Sequence, residues 1–336
     1  MESKSAICVK DLSRVFRMRR REAKGQNREI VALDGISLDV PYGELLGVLG
    51  PNGAGKTTLI KILSTLLSPT SGAAQVAGVD VVADPWEVRR HISMVSGGES
   101  SGYGLLTVEE NLWMFSQFYG IDTRTARARI RELLEVVGLA DRSRTKIFHL
   151  STGMRQKMNF VRGFMTDPEI LFLDEPTLGL DVQTARVLRD YIRAWVDERP
   201  ERTILLTTHT MHEADELCDR VAIIDRGRIL ACDPPAALKR ELQRDAIFRL
   251  CVGSLPDLEP LATGIEEITQ FTQTGREDHV EVNVILSNEN ALARVLGAIQ
   301  ESGGHLLSLE KREPTLEDVF LQVVGYGFEE AEEQAP

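Results

Sequence analysis

Hydrophobic residues along this chain come in short unbroken blocks rather than one long one. ELLGVLG (44–50), ILFLD (170–174), TILLTTH (203–209) and RVAIID (220–225) each end in glycine, an acid or histidine. Runs of that length, bounded by polar residues, predict strands covered on both faces. Between them the spacing turns helical, as in TTLIKILSTLL and the stretch from Val182 to Val196. Strands alternating with helices predict an α/β domain built on a mostly parallel sheet. TVEEN predicts a helix start with Thr107 as N-cap and Glu110 as its capping-box partner. TARARIRELLEVVGL predicts a second helix, and the two belong to a helical subdomain inserted at about residues 97–165.

The pattern changes after DPPAALKRELQ, near residue 243. HVEVNVIL sets Val280, Val282, Val284 and Leu286 on one face and Glu281 and Asn283 on the other, the period of a half-buried strand. Leu292, Val295, Leu296 and Ile299 follow helical spacing, as do Leu316, Val319, Phe320 and Val323 behind an N-cap at Thr315. The expected organisation is therefore a first domain over 1–240, a small α+β domain over 244–326 and a solvated acidic tail over 327–336. MRRREAKGQNRE reads as a hairpin extension turning at KGQN. Its arginines are either solvated or contacts for anionic lipid headgroups.

Composition narrows the function classes. The 336 residues carry a formal charge of -12, which excludes general nucleic-acid binding by the surface, because phosphate neutralisation needs a basic face. The four cysteines form no CxxC and no zinc-like spacing, which fits a reducing compartment. No run approaches the roughly 18 apolar residues of a membrane span. Any work at a membrane needs a separate membrane chain.

Chemistry concentrates in three places. GPNGAGKTT follows a strand and opens a helix, the setting of a phosphate-binding loop. Gly50, Gly53 and Gly55, with Pro51, Asn52 and Ala54, let backbone amides wrap a polyphosphate. Lys56 supplies a point charge, Thr57 a hydroxyl for Mg²⁺ and Thr58 a hydrogen bond to a phosphate oxygen. ILFLDEPT ends a strand in Asp174, suited to the Mg²⁺ shell, and Glu175, suited to accept a proton from an attacking water. His209 closes TILLTTH at the carboxyl edge of the sheet, where it can hydrogen-bond a terminal phosphate or hold the water. LSTGMRQK (150–157) offers a second anion seat, Ser151 and the amides near Gly153 at a helix start. A plain Ser/Thr helix cap is the alternative reading of that stretch.

The order of phosphate loop, LSTGMRQK, strand ending in Asp-Glu, GLD and strand ending in histidine resembles the ATP-binding cassette (ABC) ATPases over residues 6–235. The resemblance implies a P-loop fold with a mostly parallel sheet, an antiparallel β part and the inserted helical subdomain. It also implies ATP and Mg²⁺ as cofactors and two cassettes packed head to tail. Ser151, Gly153 and Asp181 of each would then touch the ATP held by the other. Phe16 matches the family's adenine-stacking aromatic, with an ordinary core phenylalanine as the rival reading. One element departs from the pattern: where the family places a coupling glutamine, MVSGGESSGYG puts Gly97 or Gly98, and either Glu99 or the backbone of the glycine loop takes its place. REPTLEDVFLQVVG, LTVEENL and LSTGMRQK resemble bacterial drug exporters of the daunorubicin-resistance type. The resemblance implies an ATPase at the cytoplasmic face of the membrane, driving a separate permease. A regulatory, non-transport ATPase is the alternative.

Overall fold

The computed structural model describes residues 5–18, 28–96, 102–241, 246–253, 264–275 and 279–325. The expectations for Gly97, Gly98, Glu99, the KGQN turn and the acidic tail fall outside these residues. Contacts divide the chain into two compact units between Cys232 and Asp233, ahead of the pattern change near residue 243.

The first unit opens with β1 (Ser5–Met18), β2 (Arg28–Pro41), β3 (Leu45–Leu49), α1 (Lys56–Leu63), β4 (Ser71–Val76), β5 (Val79–Asp80), α2 (Pro85–His91) and β6 (Ile92–Ser96). Three helices follow, α3 (Val108–Phe118), α4 (Thr123–Val136) and α5 (Thr152–Phe164). The unit then runs through β7 (Ile170–Asp174), α6 (Val182–Asp197), β8 (Thr203–Thr208), α7 (Met211–Leu217), β9 (Arg220–Asp225) and β10 (Arg228–Asp233). β2, β1, β4 and β5 make an antiparallel sheet, and a second sheet runs β10-β9-β3-β8-β7-β6. From β9 to β6 the second sheet is parallel.

Every residue of β3, β7 and β8 is buried, as expected of strands packed on both faces. Such a sheet gathers its strand ends along one carboxyl edge, and the register does this residue by residue. Leu49 of β3 lies beside Thr208 of β8, and Thr207 lies beside Asp174 of β7. The phosphate loop, the two acids and His209 all leave the sheet at that edge.

The helical section starts as the sequence predicts: Thr107 and Glu110 close a capping box at the head of α3. Its far end is tied down by Asp167, a non-glycine residue at φ 53. The Asp167 carboxylate accepts from Arg129 of α4 at 3.2 Å, from Arg199 at 3.3 Å and from Arg202 at 2.6 Å. α1 is shorter than its apolar pattern, ending at Leu63 before Thr65 turns to φ 63.

The second unit carries α8 (Pro235–Glu241), β11 (Ala246–Gly253), β12 (Ile268–Gly275), β13 (His279–Leu286), α9 (Leu292–Glu301), β14 (Leu306–Arg312) and α10 (Leu316–Val324). Its sheet is antiparallel in the order β12-β13-β11-β14. Val282, Val284 and Leu286 meet Val295 and Ile299 of α9 in one core, as the alternation and the helical spacing predict. Ile285, on the opposite face of β13, is also buried, so the strand is covered on both sides at that end. Thr315 caps α10 in a capping box with Asp318.

Candidate active site

Between β3 and α1 the chain makes a turn that only glycine permits at two points. At Gly50 a Cβ would stand 2.2 Å from the Ile224 carbonyl oxygen, and at Gly55, with φ +111, 2.5 Å from that of Ala32. Both collisions are with backbone, so neither residue tolerates a side chain. Gly53, at φ +82, has open space where its Cβ would be. It serves the turn's left-handed conformation. Gly55 is the N-cap of α1 and offers no side chain, which leaves the first amides of the helix to an incoming anion.

Lys56 is buried, and its Nζ donates to the Gly50 carbonyl at 2.6 Å and the Pro51 carbonyl at 3.1 Å. The ammonium is 3.7 Å from Glu175 Oε1. Thr57 Oγ1 donates to Asp174 Oδ1 at 3.2 Å, and Thr207 Oγ1 donates to the same oxygen at 2.5 Å. Thr207 escaped the sequence reading. Its signal was there, two hydroxyl residues closing the strand after the apolar Ile204, Leu205 and Leu206.

The Thr57–Asp174 pair is an oxygen-only set, one hydroxyl and one carboxylate. Among the described residues no group of three His, Cys, Asp or Glu could hold a metal ion. That pairing suits Mg²⁺, which takes one or two protein oxygens and fills its octahedron with phosphate and water.

Glu175 follows β7 at φ 50, a left-handed conformation that costs a non-glycine residue of order 1–3 kcal/mol and clusters at functional sites. Its amide is held by the Thr207 carbonyl at 3.0 Å, which turns the carboxylate toward Lys56 and His209. His209 Nδ1 lies 3.2 Å from Glu175 Oε1. The hydrogen bond from the imidazole, aided by the Lys56 ammonium, holds this carboxyl below the ordinary glutamate range although burial opposes it. Glu175 is thus held as the carboxylate, able to accept a hydrogen bond from water.

The second anion seat is built differently. Ser151 caps α5, its hydroxyl accepting from the Met154 amide at 3.3 Å. Asp181 caps α6, accepting from the Thr184 amide at 2.9 Å and the Thr184 hydroxyl at 2.8 Å. Those two bonds hold its carboxyl below the ordinary aspartate range. The helix starts are neighbours, because a Cβ on Gly153 would meet the Gly179 carbonyl at 3.5 Å. Gln156, buried on α5, donates to the Pro176 carbonyl at 3.0 Å and so ties this seat to the segment just after Glu175. Spacing alone gave no sign of that bond. Ser151 and Asp181 are exposed, and among the described residues each side chain hydrogen-bonds within its own helix.

Phe16 sits on β1 opposite Ile30 of β2, half-buried, with the Arg14 guanidinium 4.6 Å over its ring. One ring face is therefore occupied by a cation, and Phe16 is not part of the buried core cluster of the two sheets.

Comparison with known proteins places these features in company. Residues 33–178 match the family model described as ABC transporter, and 234–324 match that of the ATP-binding protein DrrA1-3-like C-terminal domain. The daunorubicin resistance ATP-binding protein DrrA3 of Streptomyces coeruleorubidus is 39% identical over 301 residues, covering 88% of this chain and 91% of that protein. The Nod factor export ATP-binding protein I of Burkholderia orbicola is 34% identical over 302 residues, covering 88% and 92%. A solved dimeric ATP-binding cassette in a post-hydrolysis state, bound to ADP and Pi, superposes with a TM-score of 0.61 at 24% identity, covering 68% of this chain and 98% of that one.

Proposed function

This chain belongs to the ABC transporter family of ATP-binding, ATP-hydrolysing subunits, and we propose that it powers export through a separate membrane permease by ATP-driven pairing of two cassettes. The observation that carries the pairing is the asymmetry of the site. One edge holds a complete phosphate loop with its acids, while Ser151, Gly153 and Asp181 gather at exposed helix starts. A triphosphate held by one copy would complete its coordination on the second seat of another. A cassette of the same fold, bound to ADP and Pi, is itself dimeric.

Within each site the amides of Gly53 to Lys56 and the Lys56 ammonium would bind the β- and γ-phosphates. Thr57 and Asp174 would hold Mg²⁺, which when bound neutralises charge building up on the phosphate oxygens. Glu175 would accept a hydrogen bond from the attacking water, and His209 would keep that carboxylate oriented. Water oxygen bonds to the γ-phosphorus as the bond to the ADP oxygen breaks, and the water proton leaves by way of Glu175 to solvent. Positioning and charge neutralisation supply the rest of the acceleration. Phe16 would offer a ring face to adenine.

A groove of about 240 Å³ in the first unit supports the membrane partner; Leu66, Ile92, Met94 and Tyr119 line it beside Arg89. Two of its lining residues, Leu66 and Tyr119, are 63% and 52% exposed, an apolar surface fit to receive a permease's cytoplasmic helix. Among the described residues no helix is long and apolar enough to cross a membrane. In the exporter reading the chain acts peripherally, at the cytoplasmic face. Its relatives are named for daunorubicin resistance and for Nod factor export, and the cargo of this chain would be a small organic molecule of that kind, chosen by the permease.

Glu175→Gln tests the reading. ATP should still bind, turnover should fall by about 10²–10⁴, the usual share of a positioned proton acceptor, and light scattering should show a persistent dimer with MgATP. Turnover at the parental rate would refute the role of Glu175. A protein that stays monomeric, alone and with the co-purified permease, would refute the pairing.

A further inference from the structure

On the helical subdomain, away from the nucleotide edge, α4 and the loop after it enclose a pocket of about 250 Å³. Its floor is apolar and rigid: Ile130 and Leu134 are buried at 2% and 3% exposure. Its wall is pinned, because the Val108 amide donates to the Thr145 carbonyl and the Glu109 amide to the Ser143 carbonyl, each at 3.0 Å. Around the opening stand Arg127, Arg131 and Arg144, with Glu109 the single carboxylate among the lining residues. All three arginines are exposed.

These arginines have no ion-pair or hydrogen-bond partner for their guanidinium groups among the described residues. Several other arginines of the unit are paired, among them Arg129, Arg189, Arg193, Arg202 and Arg220, so what sets these three apart is that they stand together over one pocket. Arg127 and Arg131 also stand four apart on one helix face, an arrangement in which like charges repel. A chain of net charge -12 has carboxylates to spare, yet none but Glu109 is set here. Convergent, unpaired, weakly hydrated guanidinium groups over a preformed pocket match an anion with several oxygens.

We propose that this pocket binds a phosphate-bearing anion, either the headgroup of an acidic phospholipid or a soluble phosphate compound. The three guanidinium groups take the phosphate oxygens, the Ser143 hydroxyl adds a donor, and Ile130 and Leu134 receive the carbon part next to the phosphate. At a membrane such a contact would help fix the helical subdomain against the lipid surface.

The test uses the full chain with Arg127→Ala, Arg131→Ala and Arg144→Ala combined, and Arg186→Ala as an exposed arginine elsewhere. Intact ATP turnover in solution shows that both variants fold. The lipid arm is co-sedimentation with phosphatidylglycerol vesicles against phosphatidylcholine vesicles. The soluble arm is calorimetry with inorganic pyrophosphate on Lys56→Ala protein, so that the phosphate loop does not compete. Binding in either arm should weaken by about a hundredfold in the triple variant, at roughly fivefold per surface charge, and stay unchanged in Arg186→Ala. The arm that responds identifies the source of the phosphate. Absence of binding in both arms, or equal binding by the parent and the triple variant, overturns the proposal.

Discussion

The two proposed anion seats of the first unit are held in opposite ways. At the sheet edge every functional side chain is held from another element: Thr57 and Thr207 on Asp174, Lys56 on the loop carbonyls, His209 on Glu175. At the second seat Ser151 and Asp181 are held by their own helices and face solvent. The first seat is preorganised by the sheet, and a change there is felt within one chain. The second is only a pair of capped helix starts. Its chemistry depends on what comes to it, and a change there should be felt between chains.

The largest effect should come from the first seat. Lys56→Ala removes a buried ammonium that bridges the loop carbonyls and Glu175, so ATP affinity should fall by about 3 kcal/mol, some hundredfold. Titration of the monomer with a fluorescent ATP analogue reads this without any partner. If affinity falls only when two cassettes can pair, the contrast between the seats is wrong.

A smaller and more selective effect should come from Ser151→Asp. Aspartate caps a helix as well as serine does, and a negative charge suits the α5 N-terminus, so the melting temperature should hold or rise slightly. The same charge would oppose a neighbour's triphosphate by at least about 1.4 kcal/mol, tenfold in the MgATP-dependent dimer constant. Ser151→Ala separates the roles, since losing the cap should lower stability by about 1 kcal/mol. An unchanged dimer constant in Ser151→Asp would reduce this seat to a helix cap.

The contrast also explains what could be read from the sequence. Short apolar blocks of β3, β7 and β8 predict a parallel sheet, and a parallel sheet has one carboxyl edge, so the meeting of the GKTT loop, Asp174, Glu175 and His209 follows from pattern alone. What stayed hidden were bonds between elements distant in sequence. Thr207 supports Asp174 only because two strands are in register, and Gln156 reaches Pro176 only because α5 packs beside the segment after β7. Asp167 with its three arginines is another such case, since no spacing rule joins Arg129 to Arg202. In the second unit the helices were legible from period and caps. The extra burial of Ile285 was not, because what covers the far face of β13 is a property of the fold and not of the strand's alternation.

The smallest effect is in pH dependence, and it divides the seats most finely. Glu175 has its carboxyl lowered first by the His209 hydrogen bond, then by the His209 and Lys56 charges, against burial. A folded value below the unfolded one means stability that is fully present above the unfolded pKa and lost as pH falls through the folded pKa. The acid limb of ATP hydrolysis should therefore lie below the ordinary glutamate range, and His209→Ala should move it upward. Asp181 is lowered too, but by its bonds to Thr184, so His209→Ala should leave it untouched. Thr184→Val should do the reverse, removing the hydroxyl bond and with it part of the acid-sensitive stability, while the acid limb of hydrolysis stays where it was. pH profiles of turnover and of urea midpoint for the two variants give four curves. If His209→Ala shifts the urea profile alone, Glu175 is a structural anion. If both variants shift the turnover limb, the two seats titrate as one and Asp181 must face the nucleotide of its own chain.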